Sequence, residues 1–99
     1  MDGFTVVLSP DPVAGGYSAT VPAMPGAITE GNSRDHPLAS VAEVMALWLD
    51  VATENGNRPL DETPELIAAQ VASVLEDRDI EGWDRTIETT VVRPAIAVA

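Results

Sequence analysis

A chain of 99 residues is long enough for one small domain, and the absence of cysteine excludes disulfides, thiolate metal sites and thiol catalysis. The 16 acidic residues outnumber the 5 basic ones, and the net charge of −11 repels phosphate backbones and favours basic partners. No apolar run reaches the length of a membrane span and no signal-peptide pattern is visible, so we expect a cytoplasmic protein. Acidity that only keeps a small domain in solution is the alternative explanation of the charge.

The first part of the chain has the pattern of two antiparallel strands. Every second residue of the segment 4–9 is strongly apolar, which predicts a strand with one buried face. A turn-rich loop follows, and Gly15 and Gly16 supply the positive φ that a tight turn requires. Alternation then returns over 17–21, so we expect the two strands to pair as a hairpin.

A proline-rich corner separates this hairpin from a third strand. Pro22 and Pro25 cannot donate ladder hydrogen bonds, so the second strand has to end at Val21. Gly26 allows the chain to enter a sheet again, and we predict a short third strand over 27–31.

An amphipathic helix is predicted to begin at Ser33, whose hydroxyl can cap it, and to end at the segment 55–57. The residues at helical spacing that we expect on the sheet are Leu38, Val41, Ala42, Met45, Trp48, Leu49 and Ala52. Val44, Leu47 and Val51 form a second stripe that widens the apolar arc to roughly 220°, more than one sheet face covers. We therefore predict that these three residues form a partner-binding or oligomer interface, unless the second helix of the same chain covers them.

These elements together resemble the HicB family, the antitoxin half of bacterial HicA/HicB toxin–antitoxin pairs. The resemblance lies in the Gly15-Gly16-Tyr17 strand, the V-P-x-x-P-G corner over 21–26, the short strand ending at Gly31 and the helix opening at Ser33, and it covers residues 4–60. It implies a truncated, degenerate RNase H-like fold that binds and inactivates a small basic RNA-cleaving toxin, without enzymatic activity of its own.

The remainder of the chain predicts a second helix and a fourth strand. Thr63 followed by Pro64 is typical of a helix start, and the segment 79–84 breaks the helical spacing. Alternation over 86–93 predicts the last strand. We expect one α+β domain over 1–99 with the order β-β-β-α-α-β. Three antiparallel strands form a meander, a C-terminal strand is added to it, two helices pack on the sheet, and 61–85 is a helical extension.

An RNase H-like fold raises the question of a divalent-metal nuclease, which needs converging carboxylates. Glu30, Glu43 and Glu88 are the candidates, but the first strand has no carboxylate, and active RNase H-like enzymes carry an essential aspartate on that central strand. His36, the only histidine, has no partner at a catalytic spacing. We therefore predict no catalytic residue, no metal and no cofactor.

Trp83 lies in a segment without periodicity and is the candidate interface tryptophan, with packing over the edge of the core as the alternative, whereas Trp48 is predicted to be in the core. Helix two is acidic and no DNA-binding segment follows the last strand, so we expect no direct nucleic-acid binding. We expect a homodimer or higher homo-oligomer and a HicA-like toxin as partner. The alternatives are an orphan homo-oligomer of the same fold without a toxin, and a divalent-metal nuclease.

Overall fold

The computed structural model describes residues 3–95 and confirms the predicted α+β order. The elements are β1 (Phe4–Pro10), β2 (Tyr17–Thr20), β3 (Ile28–Gly31), α1 (Asp35–Glu54), α2 (Pro64–Glu81) and β4 (Glu88–Val92). Within 3–95, neither helix combines the length and the apolarity that a membrane crossing requires.

The strands form one antiparallel four-stranded sheet in the order β3-β2-β1-β4. The meander of β1, β2 and β3 and a fourth, C-terminal strand in the same sheet are as predicted, and the structure places β4 beside β1. Leu8 is aligned with Ala19 on one side and Glu88 on the other, whereas Val7 is aligned with Thr20 and Thr89. Because successive side chains alternate across a sheet, these two rows lie on opposite faces.

The hydrophobic core lies between the face that contains Leu8 and helix α1. Its buried members are Val6, Leu8, Ala19, Val21, Met24, Ala27, Val41 and Met45. The predicted sheet-facing stripe of α1 is confirmed, because Val41, Met45 and Ala52 are buried while Leu38, Trp48 and Leu49 pack partly buried beside them. Trp48 is therefore at the margin of the core.

The proline corner is a closed, hydrogen-bonded turn. The Val21 amide donates to the Ala27 carbonyl at 3.2 Å, and the Ala27 amide donates to the Met24 carbonyl at 3.0 Å. From α1, the indole N–H of Trp48 donates to the Pro25 carbonyl at 3.1 Å. The corner is thus fixed both by its own backbone and by the helix.

The linker between the helices carries the chain from one face of the sheet to the other. The Leu60 amide donates to the Ala23 carbonyl of the corner at 2.8 Å. Glu62 then accepts from the Thr5 amide at 2.5 Å and from the Thr5 hydroxyl at 3.2 Å. Helix α2 consequently begins on the side opposite α1.

Helix α2 packs on the face that contains Val7. The Gln70 side-chain amide donates to the Thr20 hydroxyl at 3.3 Å, and Arg78 Nη1 donates to the Ser9 hydroxyl at 2.9 Å. The two helices do not contact each other. The alternative in which α2 covers the outer stripe of α1 within one chain is therefore wrong, because the sheet separates the two helices.

Several predicted boundaries shift by a few residues. The amide of His36 donates to the Ser33 hydroxyl at 3.3 Å, so Ser33 supplies the expected capping oxygen although α1 begins at Asp35. The Thr63 hydroxyl accepts from the Leu66 amide at 3.1 Å, as predicted for the start of α2. That helix extends to Glu81, into the predicted break of 79–84, and Gly82, with a φ of 75°, ends it.

Candidate protein-binding surfaces

The predicted stripe on α1 is only partly buried. Val44 packs against the core, whereas Leu47 is 65% and Val51 48% exposed. Leu47 and Val51 therefore present apolar surface that no other helix or strand of 3–95 covers. We call this pair of residues the α1 stripe.

Trp83 lies on a different surface from the α1 stripe. The guanidinium carbon of Arg78 is 5.5 Å from the centroid of the Trp83 ring. The Trp83 amide donates to the Arg78 carbonyl at 2.8 Å. Because Arg78 reaches Ser9 on the α2 side of the sheet, Trp83 is on that side too. Of the four predicted interface residues, Val44 thus packs against the core, and the other three are divided between two separate surfaces.

A groove runs between α2 and strands β1, β2 and β3 on this second face. Its floor includes Ser9, Ser18 and Thr20, and its wall includes Val74, Asp77 and Trp83. We call it the α2 groove. It has a volume of about 540 Å³, and it opens at the Trp83 end into a second cavity of about 580 Å³ that shares Ser9 and Ser18.

Arg78 closes the floor of the groove near the end of α2. It is 2% exposed, and its Nε and Nη2 donate to the Asp84 carbonyl and carboxylate at 2.5 and 3.1 Å. Its Nη1 donates to the Ser9 hydroxyl and to the Pro10 carbonyl. The guanidinium therefore joins α2, the loop after it and the end of β1, and these bonds use its donors.

In the sequence, Arg78 follows Val71, Val74 and Leu75 at helical spacing, and no role is predicted for it. A charged residue on an otherwise apolar stripe is a signal for this kind of buried, multiply bonded side chain, because an unpaired buried charge is too costly. That signal could have identified the polar contact between α2 and the sheet.

Two carboxylates are held in their charged form by local hydrogen bonds. The pKa of Asp84 is lowered by bonds from the Thr86 amide and hydroxyl, and to a lesser degree by Arg78. The pKa of Glu88 is lowered chiefly by its hydrogen bond from Arg34, whose Nε donates to Glu88 Oε1 at 2.9 Å. Both groups have structural partners inside the chain.

The glutamates considered for a metal site lie apart on the fold. Glu88 shares the α1 face with Leu8, whereas Glu30 is aligned with Ser18 on the α2 face, and Glu43 is exposed on α1. In the part of the chain from 3 to 95, no group of three or more such side chains could hold a metal ion. His36 is exposed at the start of α1, where it borders the larger cavity.

Comparisons of the chain with protein-family models, with curated proteins and with solved structures found no match.

Proposed function

We propose that this chain is a HicB-like antitoxin domain of the cytoplasm that binds and neutralises a small basic RNA-cleaving toxin. The observation that carries the proposal is that the segments in which this chain resembles the HicB family form one continuous folded unit. The hairpin strand β2, the hydrogen-bonded corner and α1 contribute side chains to one core, and β3 pairs with β2 between the corner and the helix.

The charge and the surface of the chain support a basic protein partner. A net charge of −11 attracts cationic proteins and repels nucleic acid. The α1 stripe and the α2 groove offer apolar surface of the kind that protein interfaces bury. Masking of a basic toxin by acidic and apolar surface is consistent with both features.

A non-enzymatic role is also part of the proposal. β1 is an interior strand of the sheet and has no carboxylate to anchor a metal. Purified chain with Mg²⁺ or Mn²⁺ is accordingly expected to leave RNA, DNA and hybrid duplexes intact. Cleavage that Glu43→Gln abolishes would refute this part of the proposal.

The direct test uses the gene next to the one that encodes this chain. We expect it to encode a small basic protein that cleaves RNA and that forms a complex with this chain. Addition of the chain should stop the cleavage, and association should slow as salt rises to physiological concentration because charge steering is screened. Undiminished cleavage in the presence of excess chain would contradict the antitoxin role.

Self-association through the α1 stripe is the second candidate function, and it is the one that applies if no toxin exists. A second copy of the chain could bury Leu47 and Val51 symmetrically against their own counterparts. Light scattering at micromolar concentration should then show at least a dimer.

Leu47→Glu should convert that dimer to a folded monomer, because Leu47 is exposed and a charge there opposes only the intermolecular contact. Ala39→Glu, at another exposed position of α1, is the matched control and should leave the dimer intact. A monomeric wild-type chain would rule out self-association.

A further inference from the structure

We propose that the α2 groove is the surface on which the partner docks a cationic segment that carries lysine or arginine beside apolar side chains. This inference rests on the proposed function, and it names the contact surface. The exposed α1 stripe is the surface proposed for self-association, not for this contact.

The chemistry of the groove matches such a segment. Ser18 and Thr20 on its floor offer hydroxyl groups, while Ile28 and Ile80 at its borders are 56% and 74% exposed. Apolar side chains of a partner can bury this surface and still find hydrogen-bond partners on the floor. Val74 lies between them on the wall of the groove.

The charges around the groove determine which sign of charge a bound segment has to carry. Asp77 and Glu81 lie along the α2 side, and Asp11 and Glu30 border the adjoining cavity. The one arginine that lines these two cavities, Arg78, is buried and bonded to Ser9, Pro10 and Asp84. The groove therefore presents carboxylates at its borders without an accessible guanidinium, which complements a cation and repels an acidic chain.

The same charges argue against a second copy of this chain in the groove. A second copy docked there would bring acidic surface against Asp77 and Glu81, whereas the α1 stripe consists of apolar side chains. A basic segment of another protein is instead attracted by the carboxylates of Asp77 and Glu81 at the border of the groove.

The test compares two double variants that change the net charge equally. Asp77→Lys with Glu81→Lys reverses the charge at the groove, whereas Asp61→Lys with Glu76→Lys reverses it at exposed positions that do not line the groove. Binding of the basic protein from the neighbouring gene is measured by calorimetry. The groove variant should weaken it about tenfold or more, and the control by less than about twofold.

A third variant separates docking in the groove from long-range attraction. Ser73→Phe leaves the charge unchanged and places a ring at the border of the groove, from an exposed position of α2. It should also weaken binding about tenfold, because it occupies space that the segment needs. Circular dichroism and urea unfolding confirm that each variant is folded.

A short peptide of alternating lysine and leucine is the second probe, with a glutamate–leucine peptide as its control. If the neighbouring protein binds and both charge variants affect it equally, the groove assignment is overturned while the antitoxin role stands. If that protein does not bind but the lysine peptide binds wild type and loses affinity with the groove variants, the antitoxin role fails and the groove assignment stands. If neither probe binds, both are overturned.

Discussion

The two faces of the sheet are built in different ways. The face toward α1 is dry and apolar, with residues such as Leu8 and Met45 fully buried. The face toward α2 carries serine and threonine hydroxyls, and the one buried residue of the covering helix is Arg78. Apolar burial thus holds α1, whereas hydrogen bonds at the start, middle and end of α2 supplement half-buried apolar side chains such as Ile67 and Val74.

This difference indicates on which face of the sheet residues can be substituted without loss of the fold. Stabilisation by apolar burial scales with the area removed from water, so most of it comes from the α1 side. The α2 side contributes less and leaves a groove with exposed side chains. A small domain can therefore vary its α2 face for recognition while the α1 face maintains the fold.

Truncation of the core should produce the largest loss of stability. Met45→Ala removes a fully buried side chain from the α1 face and should reduce the free energy of unfolding by about 3 kcal/mol. Val74→Ala, at a half-buried position of α2, is the matched substitution on the other face and should cost about 1 kcal/mol or less. Urea unfolding measures both values. Equal losses would mean that the faces contribute alike.

Removal of the buried guanidinium should have an intermediate and local effect. Arg78→Met leaves the Ser9 hydroxyl and the Pro10 and Asp84 carbonyls without this donor, at a cost of about 2 kcal/mol. Hydrogen exchange should accelerate at the end of α2 and in the following loop, while α1 remains protected.

The neighbouring Arg85 provides the control for that experiment. It is exposed and pairs with Asp79 at 3.5 Å, so Arg85→Met should change stability by less than about 0.5 kcal/mol. Uniform acceleration of exchange in α1 and α2 after Arg78→Met would contradict a local role for the guanidinium.

The smallest effect concerns the ion pair that joins β4 to the start of α1. The hydrogen bond from Arg34 lowers the pKa of Glu88 from its ordinary 4.5. The stabilisation of the folded state by this ion pair is therefore present above pH 4.5 and is lost as the pH falls through the lowered pKa. Glu88→Gln should therefore show a slightly lower urea midpoint at neutral pH and a weaker decline below pH 4.5. Glu43→Gln is the control of equal charge, and an identical pH profile for the two variants would contradict the assignment.

Much of the fold is predictable because its signals are local. Alternation identifies the strands, Pro22 and Pro25 end β2, and Thr63 with Pro64 marks the start of α2. Each of these rules depends on the backbone chemistry of a few adjacent residues. The stripe of α1 is equally evident, because burial in a helix repeats every three to four residues.

The position of α2 and the groove beside it were not predictable by the same reasoning. Helical spacing shows that α2 has an apolar side but does not show which surface it contacts. The decisive contacts are polar and distant in sequence, such as Gln70 with Thr20 and Arg78 with Ser9. Trp83 has no helical or strand spacing in the sequence, and its neighbours in the structure depend on the same distant contacts.

The pairing of β1 with β4 has a consequence for how the chain folds. β1 is an interior strand, yet Phe4 is aligned with Val92, so one of its edges is completed by residues near the other end of the chain. Closing so long a loop is entropically costly and belongs to the slower events of folding. During synthesis, β1 can pair with β2 early but keeps a free edge until β4 emerges from the ribosome. We therefore expect incomplete chains that lack β4 to aggregate through this edge and to be degraded rapidly.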